Sequence, residues 1–225
     1  MKVHPIIFQP EMVRALLAGR KTQTRRLRWG KEQETPRKKS EIGEGYFVTG
    51  SGYKYQTPLA RVKAGDVLYV RESHWRWGYW DYQPSEKITF VPQAHEPMHF
   101  GDEAPGYVAP KRIIGKTAWW LRPSIFLPRE GSRLTLAVTE VRFEPLQNIS
   151  EADAKAEGAR SVDYATGREC ILDPDMGSYR LHYAEIWRQI NGAASWDENP
   201  EVVALTFKVH RQNVDEFLRA GAANG

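Results

Sequence analysis

The sequence predicts an α+β protein, built as a small β-barrel with flanking helices and two long insertions. Three observations support this prediction. Short segments alternate apolar and polar residues at the period of a half-buried strand, and only two or three segments show helical periodicity. Strands and helices do not alternate regularly along the chain, which argues against a doubly wound α/β fold.

The chain begins with a predicted strand at His4–Phe8 and a predicted helix at Pro10–Arg20. Proline is tolerated in the first turn of a helix. The apolar face of this helix consists of Val13, Leu16 and Leu17. Gly19 lies near the helix end, where a residue with positive φ is commonly required. We expect a strand over Thr22–Arg28 to follow.

Two insertions are predicted from composition. Residues 29–64 are polar and rich in Gly, Lys, Ser and Thr, which is typical of a long surface segment. A turn at Gly65-Asp66 then leads into a strand over Val67–Glu72. Residues 74–130 combine clustered tryptophans with Pro and Gly, and we expect a second insertion there with short strands such as Lys87–Val91.

The last third of the chain carries the clearest elements. Ser132–Phe143 alternates as a long strand, and Ser150 is a natural N-cap for a short helix that Gly158 ends. Tyr179–Ile190 has the strongest helical pattern, with an apolar stripe that includes Trp187.

A final strand is predicted at Val202–Val209, followed by a polar, alanine-rich tail over 211–225. The sequence thus predicts a single domain over residues 1–210, with insertions at about 29–64 and 74–130, and a C-terminal tail.

The 225-residue chain is modestly basic, with a net charge of +4 and a pI near 9.1. This balance permits a nucleic-acid or nucleotide partner without requiring one. Many of the cations crowd one segment, namely Arg20, Lys21, Arg25, Arg26, Arg28, Lys31, Arg37, Lys38 and Lys39. Both a solvated face and a phosphate-binding patch fit such a run.

Several classes of protein are disfavoured. The single cysteine, Cys170, excludes an intramolecular disulfide and a cysteine-rich zinc site. His95 and His99 are four residues apart, but Pro97 between them argues for a loop, so we expect no metal site and no cofactor. Since no apolar stretch approaches the roughly 18 residues of a membrane span, we expect a cytoplasmic protein that does not bind membranes.

The most informative motif is Gly-Arg-Lys-Thr-Gln-Thr-Arg-Arg at residues 19–26. If it is extended, its two faces are Lys21, Gln23 and Arg25 against Thr22, Thr24 and Arg26. This arrangement suits an anionic or polar ligand, and a lysine near a threonine can activate the hydroxyl. The alternative is structural, because cations after a helix end stabilise its dipole by about 0.3–1 kcal/mol and threonine favours strands.

Five blocks of the chain, taken in order, resemble the ASCH domain, a PUA-like β-barrel family of bacteria and phages. The blocks are Leu17–Thr24, Gly65–Leu68, Leu134–Phe143, Ile149–Gly158 and Val203–Lys208. Two further segments, Trp119–Pro128 and Trp196–Pro200, resemble the longer phage and prophage members. The shared blocks cover less than half of the chain, and their order is more specific than any one of them.

The resemblance implies RNA or modified-nucleoside chemistry. One branch of the superfamily is an amidohydrolase that removes the acetyl group of N4-acetylcytidine with a lysine, a threonine and a glutamate, and another member is reported as a ribonuclease. The three positions correspond here to Lys21, Thr24 and Glu157. Thr22, Arg25 and Arg26 of the same segment are candidates for substrate binding because they present a hydroxyl and two cations, although Arg25 replaces an apolar residue of that branch.

Amide hydrolysis assigns a chemical role to each of the three residues. Thr24 Oγ is the expected nucleophile, Lys21 takes its proton or stabilises the oxyanion, and Glu157 protonates the leaving amine. The alternative for Glu157 is a solvated acid at a helix end.

Four further residues are candidates for substrate binding. Arg71 and Glu72 end a predicted strand, where Glu72 serves either as a substrate hydrogen-bond acceptor or as an ion-pair partner for the arginines. Trp75 and Trp77 are the expected exposed pair of the tryptophan cluster and stack bases, unless these rings form a core beneath the insertion.

Three functions remain open from the sequence. The first is an ASCH protein that binds RNA, single-stranded nucleic acid or a modified nucleoside and hydrolyses an N-acyl bond in a barrel pocket. The second is a non-catalytic nucleic-acid-binding module that uses the basic run. The third is a phage accessory protein of the host cytoplasm that binds a host protein through the tryptophan-rich insertion.

Overall fold

The computed structural model describes residues 1–30, 46–48, 52–85, 87–93, 96–171 and 173–223. They fall into two compact units. Unit 1 consists of Met1–His4, Ala15–Val67 and Leu136–Val209, and unit 2 of Pro5–Arg14, Leu68–Thr135 and His210–Gly225. Residues 31–45 and 49–51 of the predicted insertion, with Lys31, Arg37, Lys38 and Lys39 of the basic run, lie outside the described residues, as does His95.

The predicted α+β class is confirmed. The helices of the described residues are α1 Pro10–Leu17, α2 Glu151–Ala156, α3 Tyr179–Asn191 and α4 Val214–Ala223. The strands are β1 Val3–Ile7, β2 Gln23–Leu27, β3 Tyr46–Val48, β4 Tyr53–Tyr55, β5 Val67–Arg71, β6 His74–Tyr82, β7 Ile88–Pro92, β8 Ala118–Arg122, β9 Thr135–Pro145 and β10 Glu201–His210.

The described strands form sheets of five, two and three strands, none of which closes into a barrel. In the largest sheet β1 and β2 are the two edge strands and do not pair with each other, so this sheet is open where a closed barrel is predicted. The five strands predicted outside the tryptophan-rich segment, and the short strand within it, are all present with bounds shifted by at most three residues.

In unit 1, β9, β10 and β2 are consecutive neighbours in the five-stranded sheet. β10 runs antiparallel to β2, with Leu205 opposite Thr24 and Ala204 opposite Arg25. The side chains of β10 from Val202 to Leu205 are almost fully buried. Pairing with β10 therefore fixes the register of β2, which contains part of the motif at residues 19–26.

Helices α2 and α3 cover a core in unit 1 that consists of Leu146, Ile149, Ala154, Ala159, Tyr183, Trp187 and Val202. The predicted N-cap at Ser150 is confirmed, because its side chain accepts a hydrogen bond from the Asp153 amide at 3.0 Å. Glu151 in the same turn accepts from the Tyr179 amide at 2.7 Å, at the start of α3. These caps fix where α2 begins.

Unit 2 contains a three-stranded antiparallel sheet in the order β7-β6-β8. It also contains α4, where the sequence predicts a tail. Asn213 caps this helix by accepting a hydrogen bond from the Asp215 amide at 2.9 Å, and Val214 is fully buried. An Asn followed by two acids is an N-terminal helix signal, which the alanine-rich composition of the segment obscures.

Candidate functional site

The turn after α1 places Lys21 inside unit 1. Gly19 adopts a φ of 71°, as predicted. The amides of Arg20 and Lys21 then both donate to the Ala15 carbonyl, at 2.9 and 3.2 Å. The next amide, of Thr22, donates to the Ala156 carbonyl at 2.8 Å. These hydrogen bonds place Lys21 at the C-terminal end of α2, where its side chain is only 2% exposed.

Lys21 and Glu157 meet in a buried ion pair. Glu157 caps the C-terminus of α2, and the chain then turns at Gly158, whose φ is 89°. Lys21 Nζ donates to Glu157 Oε2 at 2.8 Å and to the Glu157 backbone carbonyl at 2.7 Å. The two residues are 136 positions apart in the chain. The structure therefore brings two of the three predicted catalytic residues into direct contact.

The pair is unusual in two respects, the lowered pKa of its lysine and an oxygen of its glutamate that has no hydrogen bond in the described part of the chain. Burial lowers the pKa of Lys21 below its ordinary value, and the carboxylate of Glu157 only partly opposes this effect. The second carboxylate oxygen, Glu157 Oε1, is buried and has no hydrogen-bond partner among the described residues. A buried acceptor of this kind normally has a partner, so it offers a bond to a ligand or to water.

Arg25 forms a second buried centre beside the first. Its Nη2 donates to Glu144 Oε1 at 2.7 Å and to Asp153 Oδ2 at 3.0 Å. Its Nη1 lies 3.5 Å from Glu157 Oε1. Burial alone would lower the pKa of Arg25, but Glu157 and Glu144 outweigh it and the pKa is raised. Arg25 is thus a permanently charged clamp between β2, β9 and α2.

Asp153 connects this clamp to the surface of unit 1. Its Oδ1 accepts from Gln23 Nε2 and from Arg142 Nη2, both at 3.0 Å. Burial opposes ionisation of Asp153, but the hydrogen bond from Gln23 and the charges of Arg25 and Arg142 lower its pKa. The side-chain amide oxygen of Gln23 in turn accepts a hydrogen bond from Arg25 Nη1. The carboxylate therefore stays ionised and holds β2 against α2.

The remaining motif residues lie on the other face of β2. Strand alternation places Thr24 and Arg26 opposite to Gln23 and Arg25. Thr24 is 1% exposed, Arg26 is half-buried and Thr22 is exposed. Burial lowers the pKa of Arg26, with the charge of Glu157 acting in the opposite sense.

The other predicted substrate-binding residues belong to unit 2. Arg71 Nε donates to the Leu127 carbonyl at 2.9 Å. Glu72 is buried and accepts from Arg133 Nε and Nη2, at 2.9 and 3.0 Å. Of the two roles considered for Glu72, the structure contains the ion pair, with Arg133 as its partner.

Trp75 and Trp77 differ from the predicted exposed pair, because both are half-buried. The ring of Trp77 packs at 5.5 Å from that of Trp119, which itself is 7% exposed. These rings contribute to packing on one face of the three-stranded sheet. Their side chains offer little free surface for stacking.

Sequence reasoning missed the residues that surround the predicted pair, namely Gln23, Arg142, Glu144 and Asp153. The acidic first turn after Ser150 is a signal for Asp153 alone, and acids at that position are also explained by the helix dipole. Within the described ranges, no three His, Cys, Asp or Glu side chains are grouped so that they could hold a metal ion. No described helix has the length and apolar character needed to cross a membrane.

Comparisons of the chain with protein-family models, with curated proteins and with solved structures return no match.

Proposed function

We propose that this protein is a member of the ASCH family and hydrolyses an N-acyl amide of a modified nucleoside or of RNA. N4-acetylcytidine is the model substrate. In this proposal Lys21, Thr24 and Glu157 are the reacting groups, and the open five-stranded sheet corresponds to the PUA-like barrel of that family.

One observation carries the proposal, the buried contact of 2.8 Å between Lys21 Nζ and Glu157 Oε2. A buried ion pair is costly to form and contributes little to net stability, so its presence calls for another reason. Burial lowers the pKa of Lys21, which brings the amine closer to the range where a general base operates. Glu157 Oε1 lies 3.5 Å from Arg25 Nη1 but has no hydrogen bond among the described residues, so it can accept one from a donor group of the substrate.

The reaction balances with these groups. The reaction starts from the form of the pair in which the proton lies on Glu157 and Lys21 is a neutral amine. Thr24 Oγ forms a bond to the acyl carbon while its proton passes to Lys21 Nζ, and the oxyanion is stabilised by neighbouring cations. The C–N bond then breaks, with the proton delivered to the amine through Glu157. Water hydrolyses the resulting threonyl ester, which releases the carboxylic acid and restores Thr24. The half-buried Arg26 provides a cation for the phosphate or sugar of the substrate.

A second candidate function, a non-catalytic nucleic-acid-binding module, is favoured by one specific observation. Lys21 Nζ donates hydrogen bonds to two oxygens of Glu157. Such bonding is typical of a lysine that has a structural role. In that case the exposed and half-buried residues of the motif, Thr22 and Arg26, contact the ligand. Binding would then fall steeply with salt, because it depends on phosphate contacts.

The deciding experiment measures release of cytidine from N4-acetylcytidine by the parent protein and by Thr24→Val. This substitution removes the hydroxyl while it keeps the shape of a buried side chain. Thr89→Val is the matched control, since it changes an exposed strand threonine that belongs to unit 2. We expect turnover by the parent and by Thr89→Val, and none by Thr24→Val, at equal melting temperatures.

Glu157→Gln, assayed at a temperature where circular dichroism shows that it is folded, should also lose turnover. Full activity of Thr24→Val would overturn the assignment of the nucleophile. No release by the parent, combined with salt-dependent binding of RNA that Arg26→Gln weakens, would establish the binding module instead.

A further inference from the structure

One face of the three-stranded sheet in unit 2 carries arginine and aromatic side chains together. In the antiparallel register Arg76 lies opposite Trp120, and Trp80 lies opposite Phe90. Side chains at alternate positions of one strand and at paired positions of its neighbour share a face. The rings of Phe90 and Trp120 lie 5.4 and 6.0 Å from that of Trp80. We call this surface the arginine–aromatic face, which consists of Arg76, Trp80, Phe90, Trp120 and Arg122.

Guanidinium groups cover the rings of this face. Arg112 Cζ lies 3.9 Å from the centre of the Trp80 ring. Arg122 Cζ lies 4.9 Å from Trp80, 4.6 Å from Phe90 and 4.4 Å from Phe126. Planar cations and planar rings thus alternate across the sheet, with Phe126 at the border of the face, 56% exposed.

The charge of this face is not neutralised by carboxylates of the described residues. None of the ion pairs that these residues form includes Arg76, Arg112 or Arg122. Asp81 follows Trp80 in β6 and therefore faces the other side of the sheet. Burial lowers the pKa of Arg122, and the neighbouring charge of Arg112 lowers it further. Two like charges held this close favour an anionic partner.

The opposite face of the same sheet has a different role. It carries Trp77 and Trp119, whose rings pack 5.5 Å apart, and His99 packs at 5.0 Å against Trp119. Packing therefore occupies that face. Trp80, Phe90 and Trp120 of the arginine–aromatic face are themselves half-buried. The rings that this side offers to a partner are those at its border, Tyr82 at 60% exposed and Phe126 at 56%.

We propose that the arginine–aromatic face binds single-stranded nucleic acid. Bases stack on aromatic rings and on guanidinium planes, and phosphates pair with the arginine charges that the protein leaves unneutralised. An acidic peptide would satisfy the charges but would leave the rings unused. The proposal goes beyond the amide hydrolysis described above, because it involves none of Lys21, Thr24 and Glu157.

The first test measures binding of a fluorescein-labelled oligouridine of about 12 nucleotides, within the site sizes of known single-strand-binding surfaces. Fluorescence anisotropy of the full chain is followed between about 50 and 200 mM salt. Arg76→Gln/Arg112→Gln should weaken binding at least tenfold and reduce the slope of log K against log salt by about 0.7 per arginine. Arg219→Gln is the control, because it removes one charge at an exposed position of α4 in the same unit. It should change both the affinity and the salt slope by less than the double variant does.

The second test separates stacking from charge. Phe126→Ala should weaken oligouridine binding several-fold, while its matched control Ile125→Ala, a neighbour that is 57% exposed, should not. Polyglutamate is the probe for an acidic peptide. If polyglutamate competes with oligouridine at equal charge, or if Phe126→Ala has no effect, the face recognises anions in general and the proposal is overturned. Unchanged binding by Arg76→Gln/Arg112→Gln would overturn it as well, whatever the outcome of the N4-acetylcytidine assay.

Discussion

Lys21 Nζ donates at the same time to the carboxylate of Glu157, at 2.8 Å, and to that residue's own backbone carbonyl, at 2.7 Å. A single ammonium group therefore neutralises a buried charge and satisfies a carbonyl at the C-terminal end of α2. The negative end of a helix dipole favours such a cation. Because both bonds depend on one side chain, the position of Glu157 and the end of α2 are coupled to Lys21.

The first prediction concerns this coupling. Lys21→Met leaves the buried Glu157 carboxylate with the more distant Arg25 as its ion-pair partner, and we expect the free energy of unfolding to fall by about 3–5 kcal/mol. Glu157→Gln should also destabilise, since the lysine charge then stays buried without a counter-charge. The double variant Lys21→Met/Glu157→Gln should lose less than the sum, with a coupling energy of about 1–3 kcal/mol. Urea unfolding of the four proteins measures this, and additive effects would contradict it.

The second prediction concerns the geometry of Arg25. Arg25→Lys keeps the charge but loses the planar fork that reaches Glu144 and Asp153 together. We expect a loss of about 1–3 kcal/mol, as for hydrogen bonds to charged groups. Arg142→Lys is the control, because Arg142 also bonds to Asp153 but its side chain is 36% exposed. Equal losses in the two variants would show that the fork geometry is unimportant.

The third prediction is a pH dependence that arises from Asp153. The pKa of Asp153 is near 3.9 in the unfolded chain and is lowered in the folded protein. At pH values between these two pKa values, the unfolded chain therefore binds more protons than the folded protein does. Stability from Asp153 is therefore present above about pH 4 and is lost as the pH falls through the folded pKa. Asp153→Asn should flatten this part of the acid unfolding curve. Glu198→Gln, which removes an exposed carboxylate, controls for the loss of one surface charge.

The positions of the main elements could be predicted from the sequence because they depend on local signals. The helical stripe of α3, the Ser150 cap and the positive φ of Gly19 each require only nearby residues, and each is found in the structure. The open sheet was not predicted. Periodicity gives the two faces of a strand but not the order in which strands pair, so a barrel and an open sheet have the same pattern.

The candidate site shows the same limit. Alternation correctly places Gln23 and Arg25 on one face of β2, but their partner Asp153 lies 130 and 128 residues further along the chain. Spacing cannot specify contacts at that separation. The pairing of Lys21 with Glu157 was expected only through the resemblance to the ASCH domain, and the partners of Arg25 had no counterpart in it.

The fourth prediction concerns Gly158, the residue that turns the chain after Glu157. Its φ of 89° disfavours any other residue, and a Cβ there would lie 3.2 Å from the Ala15 Cβ and 3.4 Å from the Lys21 Cβ. Gly158→Ala therefore combines backbone strain with crowding against Lys21. Gly167→Ala is the matched control, because Gly167 has a φ of 66° with no atom within 4 Å of the added Cβ.

We expect Gly167→Ala to cost about 1 kcal/mol for the positive φ alone. Gly158→Ala should cost about 1–3 kcal/mol more, the range for overpacking a well-filled site. Thermal unfolding of the two variants measures the difference. A cost for Gly158→Ala no greater than that for Gly167→Ala would mean that the turn after α2 has room to move, and that Lys21 is not held in place by it.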